Sequence, residues 1–332
     1  MRILFITSSR IGDAVLSTGL LDYLARTHPR ARFWVACGGL PAPLFAAAPF
    51  VERVVPMVDR HRAARWRNLW LVVAPHWWHR VVDLRGSALA YLVPTARRNV
   101  LRSSSERRHR VVHLASAFGL TRPLAPVLWA KPEHEAEAAR LIPPGPPVLA
   151  LGPSANWEPK RWPAERFAEL AAHLTAPGGI LPEARVAVIG TPAERPAVRA
   201  VLNAIPARRR IDLLHGIALP AIHAALKRCA FYVGNDSGVM HMAAASGVPT
   251  LGLFGPSSEV FYGPWGPQCA AVRGPKTFED ICWAPSFDHR SRECMMLDLE
   301  IDTVRAAAET LWRRCRTGAG VTFAQDADLP PR

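Results

Sequence analysis

Short runs of aliphatic and β-branched residues recur along the chain, separated by stretches whose apolar positions follow helical spacing. RILFIT, RFWVAC, RVVDL, PVLALG, RVAVIG, IDLLHG, FYVGND and TLGLFG read as strands. They are apolar along their length rather than alternating, which is the mark of strands buried on both faces, and a helix follows each. The pattern predicts parallel sheets covered by helices, and the fold class is therefore α/β.

The alternation breaks once, in KPEHEAEAARLIPPGPP (Lys131 to Pro147), where a short helical segment runs into prolines that can neither continue a helix nor enter a central strand. A linker there predicts two domains, residues 1–140 and 147–315, with 316–332 as a loosely ordered tail; 332 residues are also too many for one ordinary core. Open parallel sheets bind ligands at their carboxyl edges, so two such sheets facing across a cleft put the chemistry in the loops after the strands.

Composition narrows the picture only a little. Lys and Arg number 41 against 27 Asp and Glu, a net charge of +14 that favours an anionic partner such as nucleic acid, a phosphorylated sugar or an acidic membrane face. Six cysteines without any Cys-x-x-Cys pair read as reduced thiols of a cytoplasmic protein, and metal-site spacing is absent. The apolar start MRILFI is too short for a signal peptide, and no run approaches the ~18 apolar residues of a membrane span. HRAARWRNLWLVVAPHWWHR (His61 to Arg80) reads two ways, as an interfacial helix at a membrane surface or as a helix packed on its own sheet with solvated arginines.

Three loops carry candidate chemistry. In TSSRIGDAVL, Gly12 permits a sharp turn and Asp13 suits either the N-cap of the following helix or a general base at the sheet edge. GPSANWEPKRWPAERF presents Lys160 and Arg161 just before a helix, where Lys160 could neutralise a phosphate or simply be solvated. GNDSGVMH ends a strand and opens a helix near Ser237, whose first N–H groups make a phosphate site. His241, four residues on, shares that helical face, although core packing would equally explain it. Gly255-Pro256-Ser257-Ser258 forms a second small-residue loop after the next strand. Neither a P-loop, nor a dinucleotide fingerprint, nor a Gly-x-Ser-x-Gly elbow occurs.

Taken in order, SSRIGDAVLSTGLL, VVDLRGS, KRWPAERFAELA, GNDSGVMHMAAASGVPTLGLFGP and CMMLDLEIDTV resemble the bacterial heptosyltransferase family of glycosyltransferases, across residues 1 to 315. The resemblance implies a GT-B fold of two Rossmann-like domains. The N-terminal one would bind an anionic glycolipid acceptor of the lipopolysaccharide inner core, and the C-terminal one a nucleotide sugar, ADP-heptose. It further implies Asp13 as catalytic base, Lys160 on the donor phosphate and sugar, Asp236, Ser237, Gly238 and His241 as the donor loop, and Glu194 as the acid that accepts ribose hydroxyls. Glu194 equally suits the first turn of a helix. Arg85 is an acceptor-binding candidate, with pairing to Asp83 or loop capping as its other use. The expected reaction is inverting and metal-independent, in the cytoplasm and in contact with the inner face of the inner membrane, with no cofactor and no nucleic acid. Gly19 stands where family members often carry Pro, and Arg60 to Arg80 matches no part of the pattern. The competing expectations are another nucleotide sugar or acceptor on the same fold, epimerisation or hydrolysis of a nucleotide sugar, or a basic protein that binds nucleotide or nucleic acid without chemistry. Dispersed basic residues and the lack of a nucleic-acid motif weigh against the last.

Overall fold

The computed structural model describes residues 1–58, 61–104, 106–116 and 118–317, so all but the first two residues of the expected tail lie outside the described residues. The chain divides into two compact units, Met1–Lys131 and the described residues from Pro132 onward. The division falls at the first residue of the segment read as the linker. The Pro132–Leu141 helix belongs to the second unit, where Lys227 pairs with Glu135 at 3.1 Å and Arg228 donates to the Ile142 carbonyl. Arg185 likewise bonds the carbonyls of Pro143 and Pro146 and fixes the proline cluster to the same unit.

In the first unit β1 (Arg2–Ile6), β2 (Arg32–Cys37), β3 (Val51–Pro56), β4 (Trp78–Asp83) and β5 (Thr95–Val100) form a parallel sheet in the order β3-β2-β1-β4-β5. The second holds β6 (Val148–Gly152), β7 (Arg185–Ile189), β8 (Arg210–Leu213), β9 (Phe231–Asn235), β10 (Thr250–Phe254) and β11 (Cys269–Arg273). They too are parallel, in the order β11-β10-β9-β6-β7-β8. Each sheet is wound outward from its first strand and then outward again on the other side. The loops after β1 and β4, and after β6 and β9, therefore turn apart at the point where the winding reverses. The α/β class and the two Rossmann-like sheets expected from the sequence are what the protein has.

β6, β9 and β10 are buried from end to end, as their unbroken apolar character required. The sequence reading missed β3, β5 and β11, written VERVVP, TARRNV and CAAVR, which are half-exposed edge strands. Charged side chains on an edge block further pairing, and they also hide the strand from an apolar pattern.

Gly19 has a packing reason. It lies in the Ile11–Thr27 helix, and a Cβ there would stand 2.3 Å from the carbonyl oxygen of Ala125. Beside it the Thr18 hydroxyl accepts the Val127 N–H at 3.0 Å, so the 124–127 backbone lies directly on the helix. The Arg/Trp-rich stretch is one helix, Arg62–Val73, followed by β4. Leu69 and Val73 bury against Leu4, Trp34, Trp78 and Val81, so the helix packs on its own sheet and leaves Arg67 and Trp70 exposed.

The helix Leu219–Leu226 supports the one that carries the GNDSGVMH loop. Its buried His223 reaches the Ser246 hydroxyl at 2.8 Å, and that hydroxyl donates to the Met242 carbonyl. Burial, with Lys227 adding to it and Glu135 opposing, pushes the His223 pKa from 6.5 down to about 4. Between these values the unfolded chain holds a proton that the folded one does not. Stability is complete above about pH 6.5 and falls toward pH 4, by up to about 3 kcal/mol. The melting temperature of the native protein should therefore drop more steeply than that of His223→Gln from about pH 7 to about pH 4; parallel slopes would remove His223 as the source.

Candidate active site

In the second unit the β6 and β9 loops meet around Asn235, which is wholly buried. Its Oδ1 accepts the Trp162 N–H at 3.1 Å and its Nδ2 donates to the Pro153 carbonyl at 2.9 Å, so one side chain pins both ends of the loop after β6. That loop carries Lys160 at the end of a short turn, Glu158–Lys160. Lys160 Nζ lies 2.5 Å from Asp236 Oδ2, and the other Asp236 oxygen lies 3.8 Å from His241 Nε2. Asp236 and His241 are almost fully buried, while about a fifth of the Lys160 side chain is exposed, its side-chain accessibility being 21%. From the far side Met295 N–H donates to the Pro159 carbonyl, and Trp157 meets Phe287 edge-on. The Lys160 loop is thus held at several points.

Ser237 is the N-cap of the Gly238–Ala245 helix, its hydroxyl accepting the Met240 N–H at 3.5 Å. The N–H groups of the first turn have no acceptor within the helix and open at the sheet edge beside Lys160. Beneath them lies Tyr232, fully buried, whose hydroxyl sits beside Ser237 and whose pKa burial raises above that of a free phenol. The ring fits because Gly152 and Gly234 lack side chains: a Cβ would come within 1.9 Å and 2.2 Å, respectively, of the phenol oxygen.

The Gly255–Ser258 loop is held by Arg273, whose guanidinium bonds Glu259 and the carbonyls of Gly255, Ser257 and Lys276. Sequence reasoning placed this loop at the edge but missed Arg273, the last residue of a strand it did not recognise. It also read past Asn235, although the residue stands next to Asp236 in the motif. Glu194 closes a capping box with Thr191, its Oε2 accepting the Thr191 N–H at 2.7 Å and hydroxyl at 2.9 Å. A Cβ on Gly190 would meet both Glu194 Oε2 at 3.2 Å and Ser154 Oγ at 3.4 Å, so the carboxylate stands over the end of β7 next to the β6 loop. Lys160, Asp236, Ser237, Gly238 and His241 therefore come together, with Glu194 one strand away.

Asp13 and Arg85 belong to the first unit, Asp13 in the first turn of the helix after β1 and Arg85 in the loop after β4, the two connections where its winding reverses. The helix N-cap is Arg10, so Asp13 is the third helical residue and not the cap. Its half-buried carboxylate has no hydrogen bond or ion pair among the described residues. In the β4 loop the fully buried Asp83 accepts the N–H groups of Arg85 and Ser87 at 2.8 and 2.7 Å and the Ser87 hydroxyl at 2.5 Å. The Arg85 guanidinium lies 5.6 Å from the Trp66 ring centre. Among the described residues no group of three or more His, Cys, Asp or Glu side chains is placed to hold a metal ion.

Two parallel Rossmann-like sheets, each with polar loops at its reversal point, are the architecture of the GT-B fold. The sequence pattern of glycosyltransferase family 9 (heptosyltransferase) matches residues 85–283, and the chain belongs to that family. It is 28% identical to lipopolysaccharide heptosyltransferase 1 of Pseudomonas aeruginosa, over 80% of this chain and 82% of that one. Among solved structures, a glycosyl transferase family 9 protein from Veillonella parvula superposes with a TM-score of 0.75 at 20% identity, covering 94% of this chain and 97% of that one. The E. coli ADP-heptose lipopolysaccharide heptosyltransferase II superposes at 0.72 and 22% identity, covering 95% and 100%. These structural likenesses bear on the fold.

The Tyr232 seat makes a direct test. Gly152→Ala should destabilise the protein by about 1–3 kcal/mol through overpacking. In a Tyr232→Leu background, where the phenol oxygen is gone, the same change should cost much less. Equal losses in urea unfolding of both backgrounds would show that the two sites are not in contact.

Proposed function

We propose that the protein transfers heptose from ADP-heptose to an anionic glycolipid acceptor of the lipopolysaccharide inner core, with inversion and without a metal ion, in the cytoplasm at the inner face of the inner membrane. The observation that carries this reading is the joining of Lys160, Asp236 and His241 beneath an open helix N-terminus, in a chain of the heptosyltransferase family. The donor follows from the chemistry of that edge, which suits a diphosphate, and from the relative whose name specifies ADP-heptose.

In this reading the acceptor hydroxyl gives its proton to the Asp13 carboxylate as its oxygen bonds to the anomeric carbon. The bond from that carbon to the diphosphate oxygen breaks, and the electron pair leaves with ADP. Lys160 and the N–H groups of Ser237 and Gly238 take up the charge growing on the diphosphate, the task a divalent cation performs elsewhere. Asp236 turns one oxygen toward Lys160 and the other toward His241, and it accepts a hydroxyl of the sugar when the phosphate draws Lys160 away. Glu194 accepts from the ribose.

Calorimetry with ADP, UDP and GDP, each with and without EDTA, should show selective and EDTA-insensitive binding of ADP. Preference for UDP or GDP would discard the heptose donor and keep the fold. Asp13→Asn should lower turnover by about 10²–10⁴ while leaving ADP affinity nearly unchanged; a large loss of nucleotide affinity would sink the base assignment. Lys160→Met should weaken both ADP binding and turnover.

A further inference from the structure

CMMLDLEIDTV, one of the motifs that carry the family resemblance, plays no part in the steps above. Its first half, Cys294 to Leu299, crosses beside the loop that holds Lys160. The Cys294 thiol donates to the Arg161 carbonyl at 3.1 Å, and its sulfur accepts the Met296 N–H at 3.4 Å. The Met295 N–H donates to the Pro159 carbonyl at 3.1 Å. Lys160 therefore stands between two carbonyls that are held by two successive residues of this segment. The segment is itself fixed: Met296 is buried against Gly255, where no side chain would fit, and the Leu299 carbonyl accepts from the Trp162 indole at 2.8 Å and from Arg166 at 2.7 Å.

The two clamps differ in kind. Met295 uses its backbone N–H, which any residue but proline would supply, whereas the bond to Arg161 needs a side chain with a hydrogen to give. The half-buried Cys294 thiol has one. Burial raises its pKa, with the Met296 N–H acting the other way, so the proton is retained at neutral pH. Lysine carries its ammonium on a flexible four-carbon stem, and the backbone beneath it must be fixed if the charge is to meet the buried Asp236 carboxylate in one place. We propose that Cys294 is a positioning residue for Lys160: its S–H fixes the Arg161 carbonyl, and with it the place of the ammonium beside the helix terminus. The inference rests on Lys160 serving the donor, as proposed above, and adds a residue that acts through it.

The test has one arm without ligand and one with ADP. Acylation of Lys160 by N-hydroxysuccinimidyl acetate, followed by mass spectrometry with Lys227 as internal reference, should be about fivefold or more faster in Cys294→Ala than in the native chain. In Cys294→Ser, which keeps a donor, it should stay close to native. ADP affinity by calorimetry should fall about fivefold in Cys294→Ala and recover in Cys294→Ser. Adding Cys294→Ala to Lys160→Met should cost no further affinity, because the effect passes through Lys160. Should Cys294→Ala fail to fold, methyl methanethiosulfonate removes the same hydrogen in the folded native chain by turning S–H into S–S–CH₃, and Cys294→Ser, which cannot react there, is its blank. Unchanged acylation of Lys160, a serine variant that behaves like alanine, or a further loss in the Lys160→Met background would each overturn the proposal. A native chain that binds no ADP would sink the transferase reading and leave the acylation arm to decide this one.

Discussion

Parallel strands can be joined only by crossovers, and crossovers in one sheet are right-handed. A sheet that grows first to one side of its opening strand and then to the other must leave two loops diverging at its carboxyl edge. Every candidate residue but Glu194 follows from that constraint. In the second unit the diverging loops follow β6 and β9 and carry Lys160 and Asp236; in the first they follow β1, where the loop leads into the helix turn that holds Asp13, and β4, where it carries Arg85. The winding alone would leave the second pair of loops open. Asn235 closes them from below by satisfying an N–H and a carbonyl of the β6 loop at once, and a buried amide placed so is expensive to replace because both partners would be left unsatisfied.

Asp236 poses an electrostatic problem that its neighbours answer. A carboxylate only 7% exposed needs a compensating charge, and Lys160 supplies it at the mouth where water still reaches the ammonium. The pairing also bears on the proposed donor site. Lys160 holds an oxygen already, so a phosphate bound there would be met by an exchange of partners rather than by an isolated charge. The helix N-terminus contributes partial charge that needs no such exchange, since its dipole is fixed by the backbone.

The sequence was most legible where both faces of an element are buried. The continuous apolar character of β6, β9 and β10 announced parallel central strands, and the small polar clusters after them marked the loops that hold the site. Legibility failed at three of the four sheet edges, β3, β5 and β11, while β8 was read from IDLLHG. TARRNV is a strand whose arginines face solvent, and nothing in its composition distinguishes it from a loop until β4 is there to pair with it. The role of Arg273 was lost for the same reason, because it closes an edge strand. Asp13 shows a finer limit: its spacing fitted a cap, and a shift of the helix start by three residues to Arg10 changes the carboxylate from a capping group to a half-buried side chain of the first turn. Tyr232 was hidden differently. Its ring is seated by two glycines far apart in sequence, which only the register of β6 on β9 brings side by side.

Net charge is a poorer guide to partners than it looked, because much of the arginine excess is structural. Arg185 bonds proline carbonyls, Arg209 and Arg210 bond the carbonyls of Ala184 and Leu202, Arg166 bonds Leu297 and Leu299, Arg228 bonds Ile142 and Arg314 bonds Cys269. A guanidinium suits this work: it has five donors in a rigid plane and keeps its charge at any ordinary pH, so it can satisfy several loop carbonyls that no backbone N–H reaches. Acidic side chains are not needed for such contacts, and the chain accumulates positive charge as a by-product of tying its loops. An anionic partner must therefore be argued from local arrangement. Lys160 beside a helix N-terminus is an arrangement of that kind; a total of +14 is not.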